Sequence, residues 1–203
     1  MIVTGLEPAG KGREKVFLDG SAAFVLYGGE LSRYGIREDI EVSEELYERI
    51  LKEVLLKRAQ ARSLYILKSM DKTEAQMRQK LKEGTYPEKV IEEVIGWLYG
   101  FHYLDDRRYA ENYVSQKKSS KSRKQLMLDL ERRGISKTLA EEVLESEEEE
   151  DETALIRQWM EKKHVDPGTK DPKERQKMWQ FLARKGFRSE DIRRAFQVEN
   201  EWQ

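Results

Sequence analysis

The spacing of apolar residues differs between the first part of the chain and the rest. In its first part, short apolar stretches alternate with polar turns, and Asp19-Gly20 between two of them is a strong signal for a tight β-hairpin. Gly28-Gly29 after the last stretch predicts an ordinary turn. The three predicted strands cover residues 2–6, 15–18 and 22–26. We expect a small antiparallel sheet with a covering helix from Ser43 onward, because Ser43 is a good N-cap and apolar residues recur after it at helical spacing.

From about residue 59 the apolar positions follow a helical period, and one pattern occurs three times. Each copy has two apolar residues four apart, a glycine turn, an apolar residue, and an apolar pair eight and nine residues further on. The three copies consist of Met77, Leu81, Gly84, Tyr86, Val94 and Ile95; of Leu126, Leu130, Gly134, Ile135, Val143 and Leu144; and of Met178, Leu182, Gly186, Phe187, Ala195 and Phe196. A period near fifty residues is typical of repeats built from two or three helices.

A further helical segment precedes each copy, so each repeat is predicted to contain three helices. These upstream helices are expected at residues 62–70, 106–117 and 152–163. The predicted fold is mainly α, with three tandem three-helix-bundle repeats in an elongated, curved array after a small N-terminal antiparallel β extension. Stacked repeats are expected to share their core between neighbours. The predicted boundaries are 1–58 for the sheet and its covering helix, and 59–100, 101–147 and 148–203 for the repeats.

Composition adds limits to this picture. Only 38% of the 203 residues are hydrophobic and 38% are charged, which suits slender helices with large solvated faces. Lys plus Arg (38) nearly equals Asp plus Glu (39), so contact with a polyanion requires local clustering of charge. There is no cysteine, no long apolar run and no signal-peptide pattern. We therefore expect a cytoplasmic protein that does not bind membranes. We also expect it to be a monomer.

The sharpest local motif lies between the first and second repeats, at residues 100–110. Asp105 is expected to cap the following helix and Asp106 to lie in its first turn. The aromatic and aliphatic side chains nearby are expected to pack inward and hold the two repeats together; they are Tyr103, Leu104, Tyr109 and Tyr113. Two carboxylates beside His102 could instead suggest a metal site or an acid–base pair, but no further ligand follows at a regular offset. We therefore predict no metal and no cofactor.

This motif, Gly-aromatic-x-x-Leu-Asp-Asp-x-Arg-Tyr-Ala, together with the three-repeat helical pattern, resembles the RecX family of recombinase regulators. Residues 84–91 also look like part of the family's first unit. The motif residues are Gly100, Leu104, Asp105, Asp106, Arg107, Tyr109 and Ala110. The resemblance implies an array of three-helix modules that binds the RecA–DNA filament, including its single-stranded DNA, and modulates its assembly and activity in recombination and DNA repair. Inhibition of RecA is the expected direction of this regulation, and the residues alone leave stimulation open as the alternative. No catalytic signature is found in the sequence, so we do not expect an enzyme.

Clustered cations give a candidate binding surface. The segment from residue 117 to 124 carries five cations and no carboxylate, and basic pairs follow one helix later and at the matching place in the third repeat. The candidate residues are Lys117, Lys118, Lys121, Arg123, Lys124, Arg132, Arg133, Arg184 and Lys185. On one face they could contact phosphates, with Ser119, Ser120 and Ser122 as hydrogen-bond donors. The alternative is a solvated helix start that binds nothing.

An acidic run at residues 145–152 has the opposite character. Like charges at helical spacing oppose a stable helix, so this run predicts a joint between the second and third repeats. A functional interpretation is that it faces basic surfaces of the partner protein or keeps the array away from DNA.

Three functions from different classes remain open at this point. The first is a regulator that binds a recombinase filament. The second is a direct DNA-binding protein, because helix, glycine turn and helix also resemble helix-turn-helix units. The third is a general α-helical adaptor. An enzyme has the least support, since neither histidine has a nucleophile or metal partner at a useful spacing.

Overall fold

The computed structural model of the chain describes residues 1–146 and 152–196. These residues fall into two compact units, Met1–Asp105 and the part of the chain from Asp106 onward. The first unit contains the N-terminal sheet and the first repeat, and the second unit contains the other two repeats.

The N-terminal sheet has the predicted antiparallel architecture. Its strands are β1 (Val3–Pro8), β2 (Arg13–Leu18) and β3 (Ser21–Tyr27), in the order β1-β2-β3. Asp19 and Gly20 both have positive φ, 48° and 82°, as the two central residues of a type I′ hairpin require. The predicted hairpin is confirmed.

The segment after the sheet corrects one expectation. Helix α1 (Gly28–Tyr34) begins at the glycine pair that the sequence assigns to an ordinary turn. The Glu30 carboxylate accepts a 2.8 Å hydrogen bond from the backbone N–H of Tyr27, which satisfies a donor at the start of this helix. The turn prediction is therefore wrong at Gly28-Gly29.

The covering helix starts where it is predicted. Ser43 accepts a 3.2 Å hydrogen bond from the N–H of Leu46, and α2 (Glu44–Ile50) follows. It continues through a π-helical turn (Leu51–Leu55) into α3 (Leu56–Ser69), so helical backbone runs without a break into the first repeat.

Three-helix domains make up the rest of the described chain. Their helices are α3, α4 (Glu74–Glu83) and α5 (Glu88–Gly100); α6 (Asp106–Lys117), α7 (Arg123–Arg132) and α8 (Lys137–Ser146); and α9 (Thr153–Lys162), α10 (Pro172–Arg184) and α11 (Ser189–Phe196). The predicted fold class, mainly α with three three-helix repeats and a small sheet, is confirmed.

The apolar cores differ between the two units. In the first unit, the sheet, the covering helix and the first repeat share one cluster of buried side chains. The second and third repeats each have a cluster of their own within the described residues. The expectation that neighbouring repeats share a core is therefore wrong for these two repeats within the described residues.

The same hydrogen bond ends the middle helix of each repeat. The backbone N–H groups of Tyr86, Ile135 and Phe187 donate to the carbonyl groups of Leu81, Leu130 and Leu182 at 3.3, 3.1 and 3.2 Å. This is the six-to-one bond of a Schellman motif, which needs a residue with positive φ just before the donor. Gly134 and Gly186 fill that position with φ of 86° and 87°.

In the first repeat the glycine has a different purpose. Thr85 takes the left-handed conformation there, with φ of 55°, and Gly84 has φ of −82°. A Cβ atom on Gly84 would lie 2.8 Å from the Tyr86 ring, so the glycine allows the close approach of that ring. The three predicted turn glycines are therefore equivalent in only two of the repeats.

Candidate partner-binding surface

Two of the predicted cations, Lys124 and Lys185, lie at the contact between the second and third repeats. The Ser122 hydroxyl group donates a 2.6 Å hydrogen bond to the carbonyl oxygen of Lys185, and it accepts a 3.3 Å bond from the N–H of Gln125. Ser122 is fully buried. Its proposed use as a phosphate donor is therefore wrong, because its hydrogen is already engaged within the protein.

This contact brings two predicted cations together. A Cβ atom on Gly186 would lie 3.0 Å from the Cβ and 3.4 Å from the Cδ of Lys124, so the Lys124 side chain crosses the turn that follows Lys185. The ammonium group of Lys185 lies 4.8 Å from the centre of the Trp159 ring and 5.8 Å from that of Phe181. Such cation–π contacts restrict the position of a lysine side chain but do not neutralise its charge.

Two further lysines, which the sequence pattern does not single out, border the same rings. Lys162 lies 5.2 Å from the Trp159 ring and Lys163 lies 5.1 Å from the Phe181 ring. We call Lys124, Lys162, Lys163 and Lys185 the inter-repeat basic patch. The available signal was the three-residue spacing of Trp159 and Lys162 in α9. The contact of Lys185 with the same ring depends on the packing of α9 against the end of α10.

Lys121 and Arg133 have internal partners in the second repeat. Lys121 pairs with the Asp129 carboxylate and donates to the Tyr113 hydroxyl group at 3.0 Å. The Arg133 guanidinium lies 4.5 Å from the centre of the Tyr113 ring and donates to the Tyr109 hydroxyl group at 3.0 Å. These two cations therefore order the repeat itself, and they are less accessible than Lys124.

The charges of this cluster are tightly coupled. The hydrogen bond to Asp129 raises the pKa of Lys121 above its ordinary value. Burial acts to raise the pKa of Asp129, but the hydrogen bonds from Lys121 and Tyr113 outweigh it, so that the pKa is lowered. Both shifts favour the charged pair.

The other candidate cations lie near helix ends. Lys117 ends α6 and Lys118 follows it, and Arg132 and Arg184 are the last residues of α7 and α10. Three of them are exposed: Lys117, Arg132 and Arg184. The Arg123 side chain is half-buried, and its backbone N–H donates a 2.7 Å hydrogen bond to the Glu152 carboxylate at the start of the third repeat.

Glu152 belongs to the acidic run at residues 145–152. Beyond the end of α8, it is the only residue of this run among the described residues. Burial raises the pKa of Glu152, partly opposed by the hydrogen bond from Arg123. Residues 147–151 lie outside the described residues, so the predicted joint at 145–152 stays a prediction.

The motif at residues 100–110 divides between the two units. Gly100 ends α5, and Leu104 is buried in the core of the first unit. Tyr103 is 46% exposed and stacks near Trp97, so the expectation that it packs inward is wrong. Its ring lies beside the exposed Phe101 ring and the half-buried Trp97 ring, and His102 in the turn between them has φ of 57°.

The other motif residues build the second repeat. Asp105 directly precedes α6, which begins at Asp106. Ala110 is fully buried in the core of this repeat, and Tyr109 packs against it. Arg107 forms an ion pair with Glu142 of α8. These contacts give the motif a structural purpose within the repeat.

Neither a metal site nor a membrane span is found in the described residues. No group of three or more His, Asp or Glu side chains in residues 1–146 and 152–196 could hold a metal ion. No helix in the same ranges is long and apolar enough to cross a bilayer.

Comparison with known proteins identifies the repeats. Models for the first, second and third three-helix domains of RecX match residues 59–98, 105–144 and 149–196. The chain belongs to the RecX family. Regulatory protein RecX of Caldanaerobacter subterraneus subsp. tengcongensis is 32% identical over 185 residues, covering 90% of this chain and 91% of the relative. The RecX protein of Clostridium botulinum strain Eklund 17B is 33% identical over 159 residues, covering 76% and 74%.

Solved structures of RecX proteins share the fold. A crystal structure of regulatory protein RecX has a TM-score of 0.64 and 24% identity, covering 96% of this chain and 98% of that chain. RecX from Lactobacillus salivarius has a TM-score of 0.60 and 24% identity, covering 70% of this chain and 94% of its own. The resemblance found in the sequence is thereby confirmed at the level of family and fold.

Proposed function

We propose that this RecX family protein is a non-enzymatic inhibitor of the RecA recombinase that binds along the RecA–DNA filament. In this proposal, the inter-repeat basic patch and the exposed cations at the ends of α6, α7 and α10 contact the phosphates of the DNA in the filament. The regulation then concerns recombination and DNA repair.

The observation that carries the proposal is the contact of Lys124 with the turn after Lys185. Cations of two repeats are brought into one patch by backbone and hydroxyl contacts, and each lysine of the third repeat rests on an aromatic ring. A solvated helix start would not require this arrangement. A patch that spans two repeats suits a long partner with regularly spaced charges.

The mechanism needs only differential affinity. A protein that binds one filament state more tightly shifts the assembly equilibrium toward that state by the difference in binding free energy. Several weak contacts along one filament strengthen each other through effective concentration. Each phosphate neutralised by a lysine also releases counterions, so binding weakens as salt rises.

Charge reversal in the patch tests the proposal. Lys124→Glu with Lys162→Glu changes one exposed cation in each repeat, and we expect weaker binding to RecA–DNA filaments and less inhibition of RecA ATP turnover. If both lysines contact phosphates, the slope of log affinity against log salt falls by about two. Lys52→Glu with Lys57→Glu is the matched control, because both lysines are exposed in the first unit and the change in net charge is the same.

Equal loss of inhibition in the test and control variants would show that only net charge matters and would remove the assigned surface. Full inhibition by the folded test variant would remove it as well. In either case circular dichroism of each variant establishes that the helices are intact.

Direct binding to bare DNA is the second candidate, favoured by the half-buried Trp159 ring, whose centre lies 5.2 Å from the Lys162 ammonium and 4.8 Å from that of Lys185. Aromatic rings flanked by cations suit stacking with single-stranded bases. A salt titration on bare single-stranded and double-stranded DNA without RecA distinguishes the two. Binding as tight as that to the filament would favour this candidate.

A further inference from the structure

A small cavity of about 180 Å³ lies in the first unit, far along the chain from the basic patch. Strand β3, helix α3 and the turn between α4 and α5 form its walls. Ligand pockets for drug-sized molecules are about 300–1,000 Å³, so this cavity suits one small chemical group. Its lining includes three arginines and two tyrosines and, among the described residues, no carboxylate: Arg13, Tyr27, Arg58, Arg62 and Tyr86.

Two of the arginines are held firmly by the protein. Arg58 donates from Nη2 to both carboxylate oxygens of Glu30 at 2.5 and 2.6 Å and from Nη1 to the carbonyl oxygen of Val25 at 2.9 Å. Its guanidinium also lies 4.8 Å from the centre of the Tyr27 ring. Such a side chain loses little further freedom when a ligand binds.

Arg13 is fixed in a comparable way. Its Nε and Nη2 atoms donate to the carbonyl oxygens of Gly10 and Ala9 at 3.1 and 3.2 Å. Both acceptors are neutral, so the positive charge of Arg13 has no carboxylate against it in these bonds. The Gly10–Gly12 turn therefore positions a cation at the edge of the cavity.

Arg62 supplies donors that the fold does not use. It is exposed and, with respect to the residues that the structure describes, makes no hydrogen bond or ion pair. Glu83 interacts with it electrostatically, but Glu83 already pairs with Lys80 at 2.8 Å. A guanidinium has five N–H donors, and those of Arg62 are available to a ligand.

Tyr86 completes the set of donors. Burial raises its pKa, while Arg58, Arg62 and Arg13 act in the opposite direction, as expected for a phenol that faces three guanidinium groups. The absent Cβ of Gly84 leaves room for its ring. The Tyr86 phenol therefore lies near three guanidinium groups, of which Arg58 is already paired with Glu30.

We propose that this cavity binds a phosphate group. Arginine is the preferred side chain for phosphate because its planar fork forms charge-assisted hydrogen bonds with two oxygens at once. Donor-bearing side chains from the sheet, the helix and the turn line this one cavity, which suits a tetrahedral anion with several acceptor oxygens better than a planar carboxylate. The site is separate from the proposed filament-binding surface and does not depend on that function.

Titration of the full ¹⁵N-labelled chain with inorganic phosphate, at constant ionic strength against chloride, tests the site. We expect saturable shifts of the Thr85 and Tyr86 amide signals and of the arginine Nε–Hε signals. Arg62→Gln should weaken binding about tenfold or more, the effect of losing a charge-assisted bond. Arg49→Gln is the matched control, because Arg49 is exposed in the same unit but does not line the cavity.

A second variant keeps the proposal testable if Arg62→Gln fails to fold. Tyr86→Phe keeps the ring that fills the space beside Gly84 and removes only the hydroxyl group, so it should weaken phosphate binding while the other amide signals stay in place. Shifts that do not saturate, that chloride reproduces, or that Arg62→Gln and Arg49→Gln reduce equally would each overturn the proposal.

Further titrations identify the source of the phosphate. If the group belongs to a nucleic acid strand end, a 5′-phosphorylated oligothymidylate should bind more tightly than the same strand without the 5′-terminal phosphate. If it is a free ion, inorganic phosphate should bind as tightly as the phosphorylated strand. Both results support the shared chemistry, and failure of all three probes to shift the Tyr86 signal would reject it.

Discussion

The side chain of Ser122 and the backbone of Lys185 form a single 2.6 Å hydrogen bond that joins the second and third repeats. The same hydroxyl group caps α7 by accepting from Gln125, so one buried serine starts a helix and holds a neighbouring repeat. Because the two repeats have separate apolar cores, such polar contacts determine where the cations of one lie against the other.

Replacing this serine tests its double purpose. Ser122→Ala should lower the free energy of unfolding by about 2 kcal/mol, from a lost N-cap of about 1 kcal/mol and the part-buried Lys185 carbonyl group left without its partner. Ser43→Ala is the control, because Ser43 only caps α2, and it should lose about 1 kcal/mol. Urea unfolding measures both, and hydrogen exchange should place the Ser122 effect in the second and third repeats. Equal losses would mean that the bond to Lys185 adds nothing.

Gly186 should tolerate no side chain. Its φ is 87°, and an added Cβ would lie 3.0 Å from both Ser122 Oγ and Lys124 Cβ. Gly186→Ala should therefore destabilise the protein by about 1–3 kcal/mol through strain and overpacking. Gly96→Ala offers the contrast, because Gly96 lies in α5 with open space around it and should stabilise by about 0.5–1 kcal/mol. Thermal unfolding of the two variants checks the opposite signs.

The ion pair between Asp129 and Lys121 should make the stability of the second repeat depend on pH. The folded-state pKa of Asp129 is lowered, so its stabilising effect is present above about pH 4 and is lost as pH falls through the folded-state value. Asp129→Asn should flatten this acid limb when stability is measured against pH. An unchanged acid limb in the folded variant would show that the pair with Lys121 is too well solvated to matter.

The contribution of Glu152 to stability should have the opposite pH dependence. Its pKa is raised by burial, so protonation favours the fold, and its contribution is lost as pH rises through the folded-state value. Glu152→Gln keeps an oxygen for the N–H of Arg123 and has no charge. We expect it to raise the unfolding midpoint at pH 7 and to reduce the change in stability between weakly acidic and neutral pH. A lower midpoint at pH 7 would mean that the carboxylate charge helps to hold α7.

Much of the fold could be predicted from the sequence, because it depends on local patterns. Apolar residues at helical spacing can be buried only on one face of a helix, and Asp19-Gly20 and Gly134 occur where the backbone needs positive φ. The repeat predicted from Leu81, Leu130 and Leu182 was confirmed by three buried leucines and three equivalent hydrogen bonds.

The surfaces, by contrast, were decided by tertiary structure. Lys121 and Lys124 are three residues apart in one basic run, yet one pairs with Asp129 and the other crosses the turn after Lys185. Arg13, Arg58 and Tyr86 come from separate segments and meet at one cavity. Local spacing determines which face of a helix is apolar, whereas the partner of an individual charge depends on how separate helices and turns pack together.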